Sequence, residues 1–439
     1  MESQRAGSHV PWSLAGGTKT LSVAWWREPT KDQWLAWLAG TLGWVIDAFD
    51  FPIFVLIMVP IASEFGVSIT AVASVLALTL LLRLAGAVPS GWLGDRIGRK
   101  LPLMLSILWL SVCNLLAGFS PNFTFLFVVR ALLGIGMGME WPAGATLAME
   151  SWPASSRGLM GAVMQGSWGI GFATSSIVYW LLYDSIGWRG LLLITIMPAP
   201  LLCLYIHYLV KEPSVSVENL KKQRDENLTV QAPLMVIFRH GLRFNTFTAC
   251  WWMSGASIAY YSINATFPTW LQAELQVPTA MVATPVLLSS LLAFFGSFAF
   301  GAISDRIGRR PIIITQAIVG CAVAHIYLLT EDLILILVGF ITQAIFGSGL
   351  PMLTPAYMTE RFPTEIRVSA SGFCYNFGLV FGAMVPTTIS YFAVERHIGF
   401  ATPMLIGTWF GCICVIISVL LSPETKGKVF VSELTKIRA

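Results

Sequence analysis

The sequence predicts an all-α membrane protein, with twelve transmembrane helices in two six-helix bundles and both termini in the cytoplasm. Three observations predict it. Only 11% of residues are charged and 56% are hydrophobic, whereas a soluble domain carries about 25% charged residues. Apolar runs long enough to cross a bilayer, which takes ~20 residues, follow one another along most of the chain. Two motifs also recur at one spacing. GWLGDRIGRK at Gly91 returns as GAISDRIGRR at Gly301, and ESWPASSR at Glu150 returns as ERFPTEIR at Glu360, both 210 positions later. A shared offset means that the second half repeats the first, about an axis along the membrane normal.

Residues 1–33 form a polar N-terminal tail without the basic, apolar and small-residue order of a cleaved signal. Residues 30–33 (TKDQ) fit a capping box that opens the first helix. Spans follow at 34–61, 70–93, 101–119, 123–149, 158–182 and 188–210, making an N-terminal bundle over 34–210. A polar cytoplasmic loop, 211–243, separates it from a C-terminal bundle over 244–421. The spans there are 244–272, 279–304, 310–329, 333–357, 367–393 and 400–421, and a cytoplasmic tail, 422–439, closes the chain. Lys and Arg crowd the loops assigned to the cytoplasm, while the opposite loops hold only Arg189 and Arg396. That asymmetry sets the orientation.

The net charge of +4 therefore reflects topology, and no nucleic-acid partner is expected. The seven cysteines lie in apolar segments without metal-ligand spacing, as small buried hydrophobes do. No nucleotide-binding loop, nucleophile elbow or HExxH pattern is present. Neither an enzyme nor a resident cofactor or metal is expected.

Five ionisable residues fall inside spans: Asp47 and Asp50 in the first, Arg83 in the second, Arg130 and Glu140 in the fourth. Each costs roughly 3 kcal/mol at mid-depth, so they are expected to face one another or a protected interior between the halves. Asp47 and Asp50, three positions apart, share a helix face. Arginine stays charged, which leaves Asp47, Asp50 or Glu140 as the proton carrier. The alternative for each is a permanent ion pair that only fixes packing. Arg130 is the first choice for a substrate carboxylate, which a guanidinium fork matches bidentately, and Arg83 the second. The corresponding C-terminal spans carry neutral polar groups, Tyr260, Tyr261, Asn264, Gln343, Tyr375 and Asn376, which suits a substrate-shaping half. Glycines 134, 136 and 138 are expected to bring helices close. Among the span prolines, Pro268 marks the expected functional bend.

Over nearly its whole length the chain resembles the major facilitator superfamily, through the paired GxLxDRxGRK-type loops after the second and eighth spans. Within it, the chain resembles the sialate:proton symporter family through DAFDF at Asp47, RALLGIGMGMEW at Arg130, AMESWP at Ala148 and GFCYNFG at Gly372. The resemblance implies the major facilitator fold and a cytoplasmic gate. Asp95, Arg96 and Arg99 belong to that gate with Asp305, Arg306 and Arg309, supported by Glu150 with Arg157 and Glu360 with Arg367.

The expected function is proton-coupled symport of a small organic anion, a monocarboxylate or a sugar acid such as sialic acid, by alternating access. The proton is the coupling ion, and the partners are the substrate anion and the lipid bilayer. A functional monomer in the plasma membrane is expected, the inner membrane if the source is bacterial. The rivals are a sugar, polyol or aromatic-acid transporter of the same fold and a non-transporting nutrient sensor.

Overall fold

The computed structural model describes residues 25–225, 233–239, 241–277, 279–346 and 350–430, and every regular element among them is helical. Thr30 opens α1 (Lys31–Leu56) with the expected capping box, Gln33 N to Thr30 Oγ1 at 3.4 Å and Thr30 N to Gln33 Oε1 at 2.8 Å. The first run does not stay one helix. It breaks at Ile57 and continues as α2 (Met58–Phe65). Ser68 caps α3 (Ile69–Ile97) and Asn122 caps α5 (Phe123–Ser151), each through its side-chain oxygen. Between them lies α4 (Lys100–Gly118). The rest of the first half comprises α6 (Arg157–Gly166), α7 (Trp168–Ile194) and α8 (Pro198–Leu209). Helix α9 (Ser214–Asp225) and the short α10 (Pro233–Val236) follow.

The second half retraces this course. Its helices are α11 (Arg243–Asn264), α12 (Phe267–Ala273), α13 (Thr279–Ile307), α14 (Arg309–Leu328), α15 (Leu333–Phe346), α16 (Thr354–Glu360), α17 (Arg367–Ser390) and α18 (Ala401–Leu420). The bend expected near Pro268 is present, because α11 ends at Asn264 and Pro268 sits in the first turn of α12.

Nine helical stretches among the described residues are long and apolar enough to cross a membrane. The other three expected spans have local explanations. One stretch, Arg157–Leu209, holds two spans that fold back at Gly187, whose φ is 64°. Helix α11 is diluted by Ser, Thr, Tyr and Asn, and α15 (Leu333–Phe346) has 14 residues.

Backbone conformation carries the repeat both inside the motifs and beyond them. Left-handed residues occur at Gly66 and Gln276, at Gly98 and Gly308, and at Gly187 and His397, each pair 210 apart. In the first half α3 packs against α5, and in the second α11 packs against α17 and α18. Between halves, α3 meets α17 and α13 meets α6. Glycine makes the α3–α5 approach possible. A Cβ on Gly134 or Gly138 would strike the backbone carbonyl of Thr79 or Arg83. Gly136 faces Trp109 on α4 instead.

Candidate functional site

All five ionisable span residues are buried, with exposures from 0% for Glu140 to 4% for Asp50. None faces lipid. Arg83 Nη2 on α3 donates to Asp47 Oδ2 on α1 at 3.2 Å. One turn further along α1, Asp50 accepts from Arg130 Nη1 at 3.3 Å, and Nη2 lies 3.2 Å from its other oxygen. Arg130 also donates to Asn114 on α4 at 2.9 Å and stacks over Phe54 at 4.3 Å.

The two arginines differ in what they face. The partners of Arg130 all belong to its own half. Arg83 lies within electrostatic reach of Tyr261 and Tyr375, which come from α11 and α17 of the other half. Its Nε is buried without a hydrogen-bond partner, and its Nη1 meets Met137 Sδ at 4.0 Å. Arg83 therefore stands at the seam, and Arg130 inside its own bundle.

Glu140 makes no ion pair among the described residues, and neither of its carboxylate oxygens has a hydrogen-bond partner. It occupies the narrow space between α5 and α1, where a Cβ on Gly43 would come within 2.6 Å of Glu140 Oε1. Asp47 and Arg83 lie within electrostatic reach. An ionised carboxylate left so costs several kcal/mol.

Aromatic rings fill the seam beside Arg83. Trp141 of α5 stacks on Tyr375 of α17 with centroids 3.8 Å apart and planes at 7°. Gln165 of α6 accepts from Trp141 Nε1 at 3.0 Å through its side chain and from Trp44 Nε1 at 3.3 Å through its backbone carbonyl, and Tyr375 lies within its electrostatic reach. Gln165 and Tyr375 are themselves 210 positions apart. Repeat-related positions thus touch where the halves meet. Trp44 adds a ring 4.6 Å from Trp168 and 6.3 Å from Tyr375. Of the other expected residues, Tyr260 packs edge-on against Tyr261 at 5.3 Å. Asn264 and Asn376 each donate to a carbonyl one turn back, at 3.1 and 3.0 Å.

The charges have no counterpart in the repeat. Positions 210 after Asp47, Asp50, Arg83, Arg130 and Glu140 hold Ser257, Tyr260, Ala293, Phe340 and Leu350.

The cytoplasmic end, in contrast, keeps its charges in both copies. Asp95 accepts from the amides of Val368 and Ser369, both at 3.0 Å, and Asp305 from those of Gly158 and Leu159 at 2.9 and 2.8 Å. Each aspartate therefore caps a helix of the opposite half, supplying an acceptor to amides that lack one within the first turn. Arg99 binds Glu150 through two 3.0 Å bonds, and Arg309 binds Glu360 at 3.1 and 3.3 Å. The expected pairs Glu150 with Arg157 and Glu360 with Arg367 are exchanged between the halves: Arg367 reaches Glu150 across the seam at 2.5 Å, and Arg157 reaches Glu360 at 3.5 Å, because each arginine's own half uses it on helix-end carbonyls.

Two expected gate residues are placed differently. The Arg96 guanidinium lies over Trp92 at 4.7 Å. Arg306 is exposed, and its carbonyl accepts from Lys426 Nζ. Sequence reasoning passed over Asn114, Gln165, Glu212 and Glu424. Glu212 caps α4 through the amides of Arg99 and Lys100, and Glu424 caps α14 through those of Arg309 and Arg310. A glutamate within a few residues of the end of each half's last span was the available signal.

The Major Facilitator Superfamily model matches residues 40–261 and 253–436. The chain belongs to the major facilitator superfamily. This superfamily member is 28% identical to a probable 4-methylmuconolactone transporter of Cupriavidus pinatubonensis, over 92% of this chain and 94% of that one. It is 26% identical to a sialic acid transporter of Escherichia coli (95% and 100% covered) and 27% identical to a cis,cis-muconate transport protein of Acinetobacter baylyi (89% and 94%). Among solved structures, a proton:xylose symporter superposes with a TM-score of 0.74 at 16% identity, covering 92% and 99% of the chains. That likeness bears on the fold. The protein is a multi-pass membrane protein of a transporter superfamily and not an enzyme.

Proposed function

We propose that the protein is a proton-coupled symporter for a small organic acid, working by alternating access in the plasma membrane. The observation that carries this is the pairing of Arg83, facing the seam between the halves, with Glu140, a buried carboxylate without a compensating partner. The substrate carboxylate binds Arg83 and draws it from Asp47. The proton rides on Glu140, whose charge the surroundings compensate least, and Asp47 takes over as its neighbour when Arg83 is engaged. Asp50 and Arg130, already matched to each other and to Asn114, keep α1, α4 and α5 in register.

The walls near Arg83 favour planar unsaturated acids over sugar acids. Trp141, Tyr375 and Trp44 line the seam there with rings, and the Gln165 oxygen and the Asn264 and Asn376 amide nitrogens are taken by protein partners. The muconate and muconolactone transporters among the relatives support the same preference.

The test is uptake into proteoliposomes of muconate, benzoate, lactate, sialic acid and xylose, with a pH gradient imposed or collapsed. Glu140→Gln is expected to abolish gradient-driven accumulation while substrate exchange at equal pH continues. Full accumulation in Glu140→Gln sinks the coupling assignment, and uptake of xylose alone sinks the substrate class.

A further inference from the structure

The cytoplasmic gate repeats its aspartate caps and its arginine–glutamate pairs in both halves, but one ring has no counterpart. After α18 the chain runs back under the seam as a strap anchored to the second half. Glu424 caps α14, and Thr425 Oγ1 donates to Glu360 Oε2 at 2.7 Å. At Gly427 the backbone turns left-handed, with φ 73°. The turn sends residues 428–430 toward the first half. There the Lys428 carbonyl accepts from Arg157 Nη1 at 2.8 Å, and Phe430 is 6% exposed with both Arg157 and Arg367 over its ring at 3.8 Å.

These two arginines are themselves repeat partners, 210 positions apart. Each binds carbonyls at a helix end of its own half, Met149 and Trp152 for Arg157, Thr359 and Phe362 for Arg367. A single aromatic face thus joins a cation of one half to a cation of the other. Among the described residues the first half has no such device. Following Glu212, its chain enters α9 instead.

We propose that residues 423–430 form a latch that holds the cytoplasmic gate shut, with Phe430 as the element that engages both halves. The strap is fixed to the second half, so rocking the halves apart carries Arg157 away from both the Lys428 carbonyl and the Phe430 ring. Contacts present in one conformation only shift the population toward it. Guanidinium over a desolvated ring is a favourable contact, and Phe430 makes two. The inference concerns closure of the gate and is independent of which acid is carried.

The test is hydrogen exchange on the full chain in lipid nanodiscs, read at Gly158, Leu159, Val368 and Ser369. These first-turn amides find their acceptors only across the seam. Phe430→Leu, which keeps bulk and removes the π face, and Phe430→Ala are expected to exchange about tenfold faster there. Phe430→Tyr and Phe430→Trp are expected to match the unmodified protein. Unchanged exchange in Phe430→Leu overturns the proposal. So does an equal acceleration inside α4, because that would report loosening of the whole bundle.

Discussion

Asp95 and Asp305 perform the same task in opposite directions, each giving both carboxylate oxygens to two amides at the start of a helix in the other half. Neither bond set survives separation of the halves. The proposed gate is therefore held by helix ends as well as by ion pairs, and it must come apart as a unit.

Replacing either aspartate by asparagine removes one acceptor oxygen and the charge. Bonds to charged groups contribute about 1.5–3 kcal/mol each, so Asp95→Asn and Asp305→Asn should each shift the population toward a gate open to the cytoplasm by roughly ten- to a hundredfold. The readout is alkylation of a cysteine introduced at Ser371, one turn into α17. The two effects should combine less than additively, because one opening event breaks both sets.

Arg83 and Arg130 should separate experimentally. Arg83→Lys keeps a cation near Asp47 but loses the planar fork, and is expected to raise the apparent KM for the transported acid about tenfold or more with thermal stability near normal. Arg130→Gln leaves Asp50 buried without its partner, which costs about 3–5 kcal/mol. Its signature is a lowered melting temperature in detergent before any question of transport arises.

Gly138→Ala places a methyl group against the Arg83 carbonyl, where neither backbone can yield cheaply. Overpacking of this kind costs about 1–3 kcal/mol. Reduced melting temperature is expected, together with weaker substrate binding, since α3 carries Arg83 away from the seam as it moves. Gly187→Ala is the contrasting case. Its added methyl would meet no atom within 4 Å, yet the backbone there holds a φ of 64°, so it should cost stability without affecting binding.

Glu424 lies outside the spans and gives a pH dependence of stability. Burial of its carboxyl disfavours ionisation, but the amides of Arg309, Arg310, Lys426 and Thr425 more than offset that and hold its pKa below the ordinary glutamate value. A group with a depressed folded pKa stabilises fully above its unfolded pKa and loses that contribution as pH falls through the folded one. The difference in melting temperature between the unmodified protein and Glu424→Gln should thus be constant near neutrality and close as pH drops below about 4. A difference that widens in acid would contradict the assignment.

Much of the architecture was legible because a bilayer demands long apolar runs, and because DRIGR and its echo at Asp305 share an offset with the Glu150 and Glu360 motifs. Which arginine faces the seam was not legible. Helix α3 is apolar all round, with lipid on one side and neighbouring helices on the other, so no polar stripe reports its rotation. The Gln165–Tyr375–Trp141 assembly joins three helices, and nothing local distinguishes its members from ordinary span residues. Phe430 was hidden for a different reason. A lone ring in a short tail acquires meaning only when two arginines, distant in sequence, converge on it.

The left-handed corners at Gln276 and His397 show what a duplicated half retains as its residues drift. The matching corners in the first half are glycines, for which that conformation is nearly free, while a side-chain-bearing residue there gives up about 1 kcal/mol. Both halves hold a positive φ at these corners, and only the first places there the residue best suited to it. The outer margin of the second half is consequently where glycine, restored at either corner, would strengthen this molecule without touching gate, seam or charge.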